Sequence, residues 1–387
     1  MAKGFDSFIT IWENDGWFDN GTSDPFIPIV ESESLKRNRM LRERNSMVRN
    51  TRAQLTDSVV IEESKAEGGL EIVPRMTDLS AILFSHFQMK KQTDTGSSYL
   101  DVFTPSKHHP TYSGNDNYGD GTYGEGPPDV YSVDIWKKIA DNTGEKTTQM
   151  FKRGLCDTLT FSMSQNDDFV VGADFKFKDW SVAVYNDSPG GTNAGTYTSG
   201  TITDWRHGTW AVSTNSGTHY IDSSLEPFSS LTVDCSNNLT EKKTLGAGTR
   251  NTFNFGNYTV KGELTVEYET ENWQELGTET FSLVGTVYHT DTEYLTISMP
   301  HCIVKNHEHA VKKPEEFIEY SIPFEAYEKN GTAPITVNLH TPTQGLDTDF
   351  LFWDAGSTTR TLAQYDFGDA GSTTRTLSQY DFADRDY

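Results

Sequence analysis

The sequence predicts a mainly β protein, a β-sandwich carrying a flanking α-helix, long loops and extended N- and C-terminal arms. Three observations carry the β reading. Hydrophobic content is modest at 35%, while 31 glycines, 22 phenylalanines and 17 tyrosines point to short strands and many turns. Residues 258–300 hold three successive strand-like runs. Further runs on both sides bring the number to eight or more, with only one or two helical stretches, which argues for a sandwich or barrel.

The clearest run begins at Tyr258. Val260, Leu264, Val266 and Tyr268 share one parity, with Gly262 between them, and Lys261, Glu263, Thr265, Glu267 and Glu269 take the other. Period two suits a strand that buries one face and shows a charged one. A second run spans Thr280–Thr290. A third, Glu293–Met299, turns Leu295, Ile297 and Met299 inward and is expected to stop at Pro300. Three runs joined by short breaks predict an antiparallel meander.

From the N-terminus, residues 1–30 form an arm holding Phe5, Phe8, Trp12, Trp17, Phe18 and Phe26. Disordered tails are poor in aromatics, so these rings read as anchors for contacts between subunits. Residues 32–52 carry seven basic residues, with Leu35, Met40, Leu41 and Met47 at partial helical spacing and Ser32 or Ser34 as a cap. The expectation is a basic helix that meets acidic surface on a neighbouring copy. Val59–Glu63 and Leu70–Val73 read as strands, with Pro74 as a break. Thr77 or Asp78 then caps an amphipathic helix, Leu79–Lys91, whose apolar positions are Ile82, Leu83, Phe84 and Phe87.

Residues 93–130 read as a long loop. Gly119, Gly121 and Gly124 match the dinucleotide-binding glycine pattern, but no strand precedes them and Pro127–Pro128 follows, so the pattern is rejected. Asp116, Asp120 and Glu125 lack calcium-loop spacing. Tyr118 and Tyr123 are assigned to subunit contacts. Strands are expected at Thr158–Ser164, Phe169–Lys178, Trp180–Tyr185, Leu231–Cys235, Cys302–Val304, Phe317–Tyr327 and Ile335–Leu339. Near the C-terminus Asp354–Phe367 recurs as Asp369–Phe382, with a single difference, Ala363 against Ser378. Two copies are too few for a solenoid. They read either as short strands that add to an edge or as a duplication in a tolerant tail. The expected organisation is an arm with a basic helix at 1–54, a sandwich domain at 55–343 with its insertion at 93–130, and a C-terminal extension at 344–387.

Formal net charge is −24. Such a surface repels nucleic acid and excludes a DNA-gripping protein, yet its sign suits one that holds DNA without sticking to it. The three cysteines, Cys156, Cys235 and Cys302, imply no disulfide framework. No signal-peptide run or membrane-spanning segment is apparent, so folding in a cytosol is expected. Nucleophile motifs are missing. His301 and Cys302 with His307 and His309 come nearest to a metal set but lack a clear fourth ligand. The expectation is a non-enzyme without metal or cofactor.

The order of segments resembles the major tail tube proteins of long-tailed bacteriophages, from about Val59 to His340. GGLEIVPRMTDLSAILFSHF is similar to that family's strand, proline and helix. LTVDCSNNLTEKKTLG followed by YTVKGELTVEYETEN is similar to its strand, variable loop and alternating strand. YLTISMPHCIVKN and FIEYSIPFEAYEKNGTAPITVNL are similar to its closing strands. The resemblance implies a tail-tube-type β-sandwich with a flanking α-helix and a virion tail protein, assembled in the host cytoplasm, whose hexameric rings stack into a tube of the flexible kind. It also implies other tail proteins at the tube ends and genomic DNA passing through without specific binding. In that setting Glu263, Glu267 and Glu269 are the candidates for the lumen wall. Two other readings stand beside it: another virion protein such as a tail terminator or decoration protein, and a carbohydrate-binding β-sandwich module that uses its aromatic residues.

Overall fold

The computed structural model describes residues 8–14, 28–43, 59–95, 98–106, 130–140, 146–164, 167–185, 208–214, 220–222, 228–242, 252–267, 280–290, 292–305, 308–309 and 319–342. The chain divides into two units, Met1–Leu346 and Asp347–Tyr387, and all described residues lie in the first. The strands in chain order are β1 (Phe8–Asn14), β2 (Val30–Glu33), β3 (Lys36–Glu43), β4 (Val59–Ile72), β5 (Lys90–Asp94), β6 (Tyr99–Phe103), β7 (Ser132–Ala140), β8 (Lys146–Ser164), β9 (Val170–Tyr185) and β10 (Gly208–Thr214). They continue with β11 (Tyr220–Asp222), β12 (Phe228–Ser236), β13 (Thr240–Lys242), β14 (Thr252–Asn254), β15 (Thr259–Glu267), β16 (Thr280–Thr290), β17 (Glu293–Val304), β18 (Glu308–His309), β19 (Glu319–Ala326) and β20 (Thr336–Thr341). A 3-10 turn (Met76–Asp78) leads into α1 (Leu79–Phe87), the one α-helix among the described residues.

The fold is mainly β and antiparallel. One layer runs β4–β9–β8–β12–β15–β19. The other runs β10–β16–β17–β20–β6–β5. Their inner faces share a core. Val171, Phe175, Val233, Val260, Leu264, Ile322 and Phe324 come from the first layer, and Phe281, Leu283, Leu295, Ile297, Val337 and Leu339 from the second. The rings of Phe281 and Phe324 meet across the layers at 5.6 Å. Gly262 occupies an inward position because a Cβ there would sit 2.2 Å from Phe324 Cζ. The missing side chain leaves the space that the Phe324 ring fills.

Two long strands change partner partway along. β8 pairs with β7 up to Gly154 and with β12 from Thr158, with an irregularity between Cys156 and Thr158. β17 pairs with β20 over Tyr294–Ser298 and with β19 over Cys302–Val304. Pro300 therefore does not stop the third run, as the sequence suggested. It sits in the interval where β17 leaves β20 and joins β19, opposite an irregularity between Phe281 and Leu283. A proline without an N–H is tolerated where the ladder is already interrupted.

The expected meander is also corrected. β16 and β17 form a hairpin, but β15 lies between β12 and β19 instead of beside β16. The basic helix expected within 32–52 is replaced, over the described residues, by β2 and β3, both paired with β4. Its apolar spacing was too sparse to define a helical stripe, and eight paired residues of β3 decide for strand. The two strands expected near Val59 and Leu70 are one, β4. Gly68 lies within it at φ 143, where a Cβ would be 2.4 Å from the Ser34 carbonyl oxygen.

α1 is shorter than expected and buried all round rather than amphipathic. It ends at Gln88, which adopts the left-handed conformation (φ 59) and donates its N–H to the Phe84 carbonyl at 2.9 Å. The Asp78 side chain makes no capping bond. Lys90 and Lys91, expected in the helix, open β5 instead. The loop expected from residue 93 is strand through Asp94 and again over Tyr99–Phe103.

Buried polar groups anchor α1. Lys90 Nζ lies 3.0 Å from Asp101 Oδ2 with both side chains fully buried, and it donates to Ser80 Oγ on the helix at 3.3 Å. Gln92 donates to the other Asp101 oxygen at 2.8 Å. At the β8 partner change, Asn237 donates to the carbonyls of His86 (2.8 Å) and Cys156 (3.0 Å). The His86 ring lies 3.1 Å from the Tyr258 hydroxyl, and burial pulls its pKa down to about 3. The helix thus fills the fork between β7 and β12.

Candidate assembly surfaces

The two layers present outward faces of opposite character. On the first, strand alternation turns Glu71, Asp174, Asp234, Lys261, Glu263 and Glu325 away from the core. Glu71, Gly172, Thr160, Asp234, Lys261 and Glu325 stand opposite one another across β4, β9, β8, β12, β15 and β19. Negative charge prevails, and Lys176 and Lys305 are held by carboxylates. Lys176 Nζ lies 2.6 Å from Asp157 Oδ2, and Lys305 Nζ lies 2.8 Å from Glu325 Oε2. Lys261 stands between Asp234 and Glu325 in register. Thr160 donates to Asp234 at 2.6 Å. Partial burial, then the charges of Asp157 and Glu71, raise the pKa of Asp174. Lys305 and then Tyr327, by hydrogen bonding, lower that of Glu325.

Of the sequence candidates for the lumen, Glu263 is exposed on this face and accepts a short hydrogen bond from the Ser321 hydroxyl. Glu267 ends β15 opposite Glu319, and its side chain lies outside the description. Glu269 lies outside the described residues. The alternation named Glu263 but not Glu71, Asp174 or Asp234. Those three became neighbours through non-local pairing, for which a single strand carries no signal.

The outward face of the second layer carries Val284, Thr286 and Tyr288 on β16, Tyr294, Thr296 and Ser298 on β17, and Asn338 and His340 on β20. Thr286 and Thr296 hydroxyls are 3.0 Å apart. Tyr288 and Tyr294 have ring centroids 5.3 Å apart, and Tyr294 stacks on His340 at 4.0 Å.

Among the arm candidates, Phe8 and Trp12 lie in β1, opposite Lys138 and Asp134 of β7. The aromatics of this segment stand out in the sequence, but the side chains buried in β1 are Ile9 and Ile11, with Thr10 between them. Phe5, Trp17, Phe18, Tyr118 and Tyr123 lie outside the described residues, as do Asp116, Asp120, Glu125 and the C-terminal repeats. His301 and Cys302 are successive residues of β17 and point to opposite sides. The Cys302 thiol is buried, donates toward the Met299 carbonyl at 3.6 Å, and has its pKa pushed up to about 12 by burial. His307 lies outside the described residues, and so does the side chain of His309. Among the described residues no group of three or more His, Cys, Asp or Glu side chains is placed to hold a metal. No helix among them is long and apolar enough to cross a membrane.

Comparison with curated proteins finds no match. A family model described as phage tail tube protein matches residues 22–326, most of the chain, from ahead of β2 to the end of β19. The chain therefore belongs to the phage tail tube protein family and is a structural component of a virion tail.

Proposed function

We propose that six copies form a ring, that rings stack into the tail tube, and that the charged face of the first layer lines the bore through which DNA is ejected. The row from Glu71 to Glu325 carries this reading. Each free Lys or Arg on a bore wall would act as a trap for phosphate, whereas a face on which carboxylates outnumber lysines repels DNA and lets it slide. Glu263 is the lumen candidate on this face, and Glu267 and Glu269, which share its parity in the sequence, are proposed to join it. The aromatic arm, with Phe5, Phe8, Trp12, Trp17 and Phe18, and the insertion with Tyr118 and Tyr123 supply contacts between subunits. The division at 1–54, 55–343 and 344–387 separates such connecting segments from the tube-building domain. Assembly takes place in the host cytoplasm, with other tail proteins closing the tube ends. The tube works as a conduit and performs no catalysis.

Electron microscopy of the purified full chain tests this. The expected result is open-ended tubes with sixfold averaged cross-sections and Glu263 on the inner wall. Discrete rings that never stack would favour a terminator, and a chain that stays single at high concentration would overturn the proposal.

A further inference from the structure

We infer that a segment of a neighbouring copy of this chain covers the outward face formed by β16, β17 and β20, the side away from the bore, when the protein assembles. The inference builds on membership of a tube-forming family and adds which face the neighbour's chain meets.

The first observation is the missing charge. Charged residues make up 23% of the chain, yet β10, β16 and β20 contain no Asp, Glu, Lys or Arg. In β17 the only one is Glu293, at the strand's end. A freely solvated surface is typically about a quarter to a third charged, and the opposite layer of this molecule follows that rule. Depletion of charge with enrichment of tyrosine is the signature of the centre of a protein interface.

The second observation is apolar exposure within that face. Tyr288 is 42% and Val284 38% exposed in the single chain; among the described residues the other exposed large hydrophobic side chains are Val182, Ile303 and Tyr327. The ladder of Tyr288, Tyr294 and His340 presents ring surface across three neighbouring strands. Rings held by their neighbours lose little further freedom when a partner arrives, so they contribute contact area at low entropic cost.

Charge then selects the occupant. Each copy carries −24, so two copies repel wherever their acidic faces meet. A neighbour's chain meets like charge on this face only at Glu293 on its edge, whereas the first layer presents it throughout. A phosphate-bearing partner would need cations, and this face has none.

The native thiols make the test clean. Cys156, Cys235 and Cys302 are all buried, so V284C in the full chain adds the thiol that a maleimide can reach on the described fold. The introduced thiol is expected to react about tenfold or more slowly in assembled tubes than in dispersed protein, because an interface core excludes solvent. A second variant, Y288E, is expected to keep the wild-type melting temperature and lose assembly, while Y288F assembles normally. Equal labelling in tubes and dispersed chains, or normal tubes from Y288E, overturns this inference and leaves the tube reading standing. A wild-type chain that never associates overturns both.

Discussion

Lys90 and Asp101 show what one buried charge demands. Their side chains are fully enclosed, and each is satisfied by the other and by Ser80 or Gln92. Replacing Lys90 by Met leaves the Asp101 carboxylate buried without its cation, which typically costs about 3–5 kcal/mol. The denaturant midpoint of K90M is expected to fall accordingly, while K90M combined with D101L recovers much of the loss. His86 gives a second, pH-dependent effect. Its folded pKa of about 3 lies below the ordinary 6.5, so between these values the unfolded chain binds a proton that the folded chain refuses. Stability contributed by neutral His86 is present above pH 6.5 and is lost as pH falls toward 3, by at most about 1.4 kcal/mol per pH unit. Glu325, whose pKa is lowered, acts in the same direction at more acid pH, and Asp174, whose pKa is raised, acts against it. Unfolding measured from pH 7 to pH 3 should show a shallower decline in H86Q than in wild type.

At the scale of elements, legibility depended on whether a strand's character was local. β15 and β16 were plain in the sequence because each alternates with one face fully buried, as with Val260 and Leu264 or Phe281, Leu283 and Val287. Their neighbours were not, since β15 joins β12 and β19 through contacts far apart in sequence. β5 and β6 were read as helix end and loop because Lys90 and Asp101 look like surface residues until they are paired. β3 looked helical because its basic residues mask a weak pattern. The charged face was half legible, through Glu263, whereas its continuation through Asp234, Thr160 and Glu71 depends on register across six strands. β1 is the most instructive case, with Ile9 and Ile11 hidden among larger rings. Deleting residues 1–14 should remove β1 from β7 and with it the burial of both isoleucines, which contributes about 1.5–3 kcal/mol for each. Thermal unfolding of the truncated chain is expected to show a clearly lower midpoint. An unchanged midpoint would mean that β1 contributes nothing to the single subunit.

For the whole molecule, segregation of charge governs assembly. The first layer turns its acidic face outward, the second turns out over β16, β17 and β20 a face whose one Asp, Glu, Lys or Arg is Glu293 at its edge, and the chain as a whole carries −24. If copies met mainly through salt bridges, added salt would weaken the tube. With contacts across an uncharged face, the dominant electrostatic term is repulsion between copies, and salt screens it. Raising ionic strength from 0.01 M to 0.15 M shortens the screening length from about 30 Å to about 8 Å, well below the dimensions of a domain. The critical concentration for polymerisation, followed by light scattering or sedimentation, is therefore expected to fall over this range. Y288E places a new carboxylate inside the contact, where short distance and low hydration make it much harder to screen. That variant should remain dispersed even at the higher ionic strength. A critical concentration that rises with salt would instead locate the main contacts in ion pairs, and would point to the basic strand β3 as the connecting element.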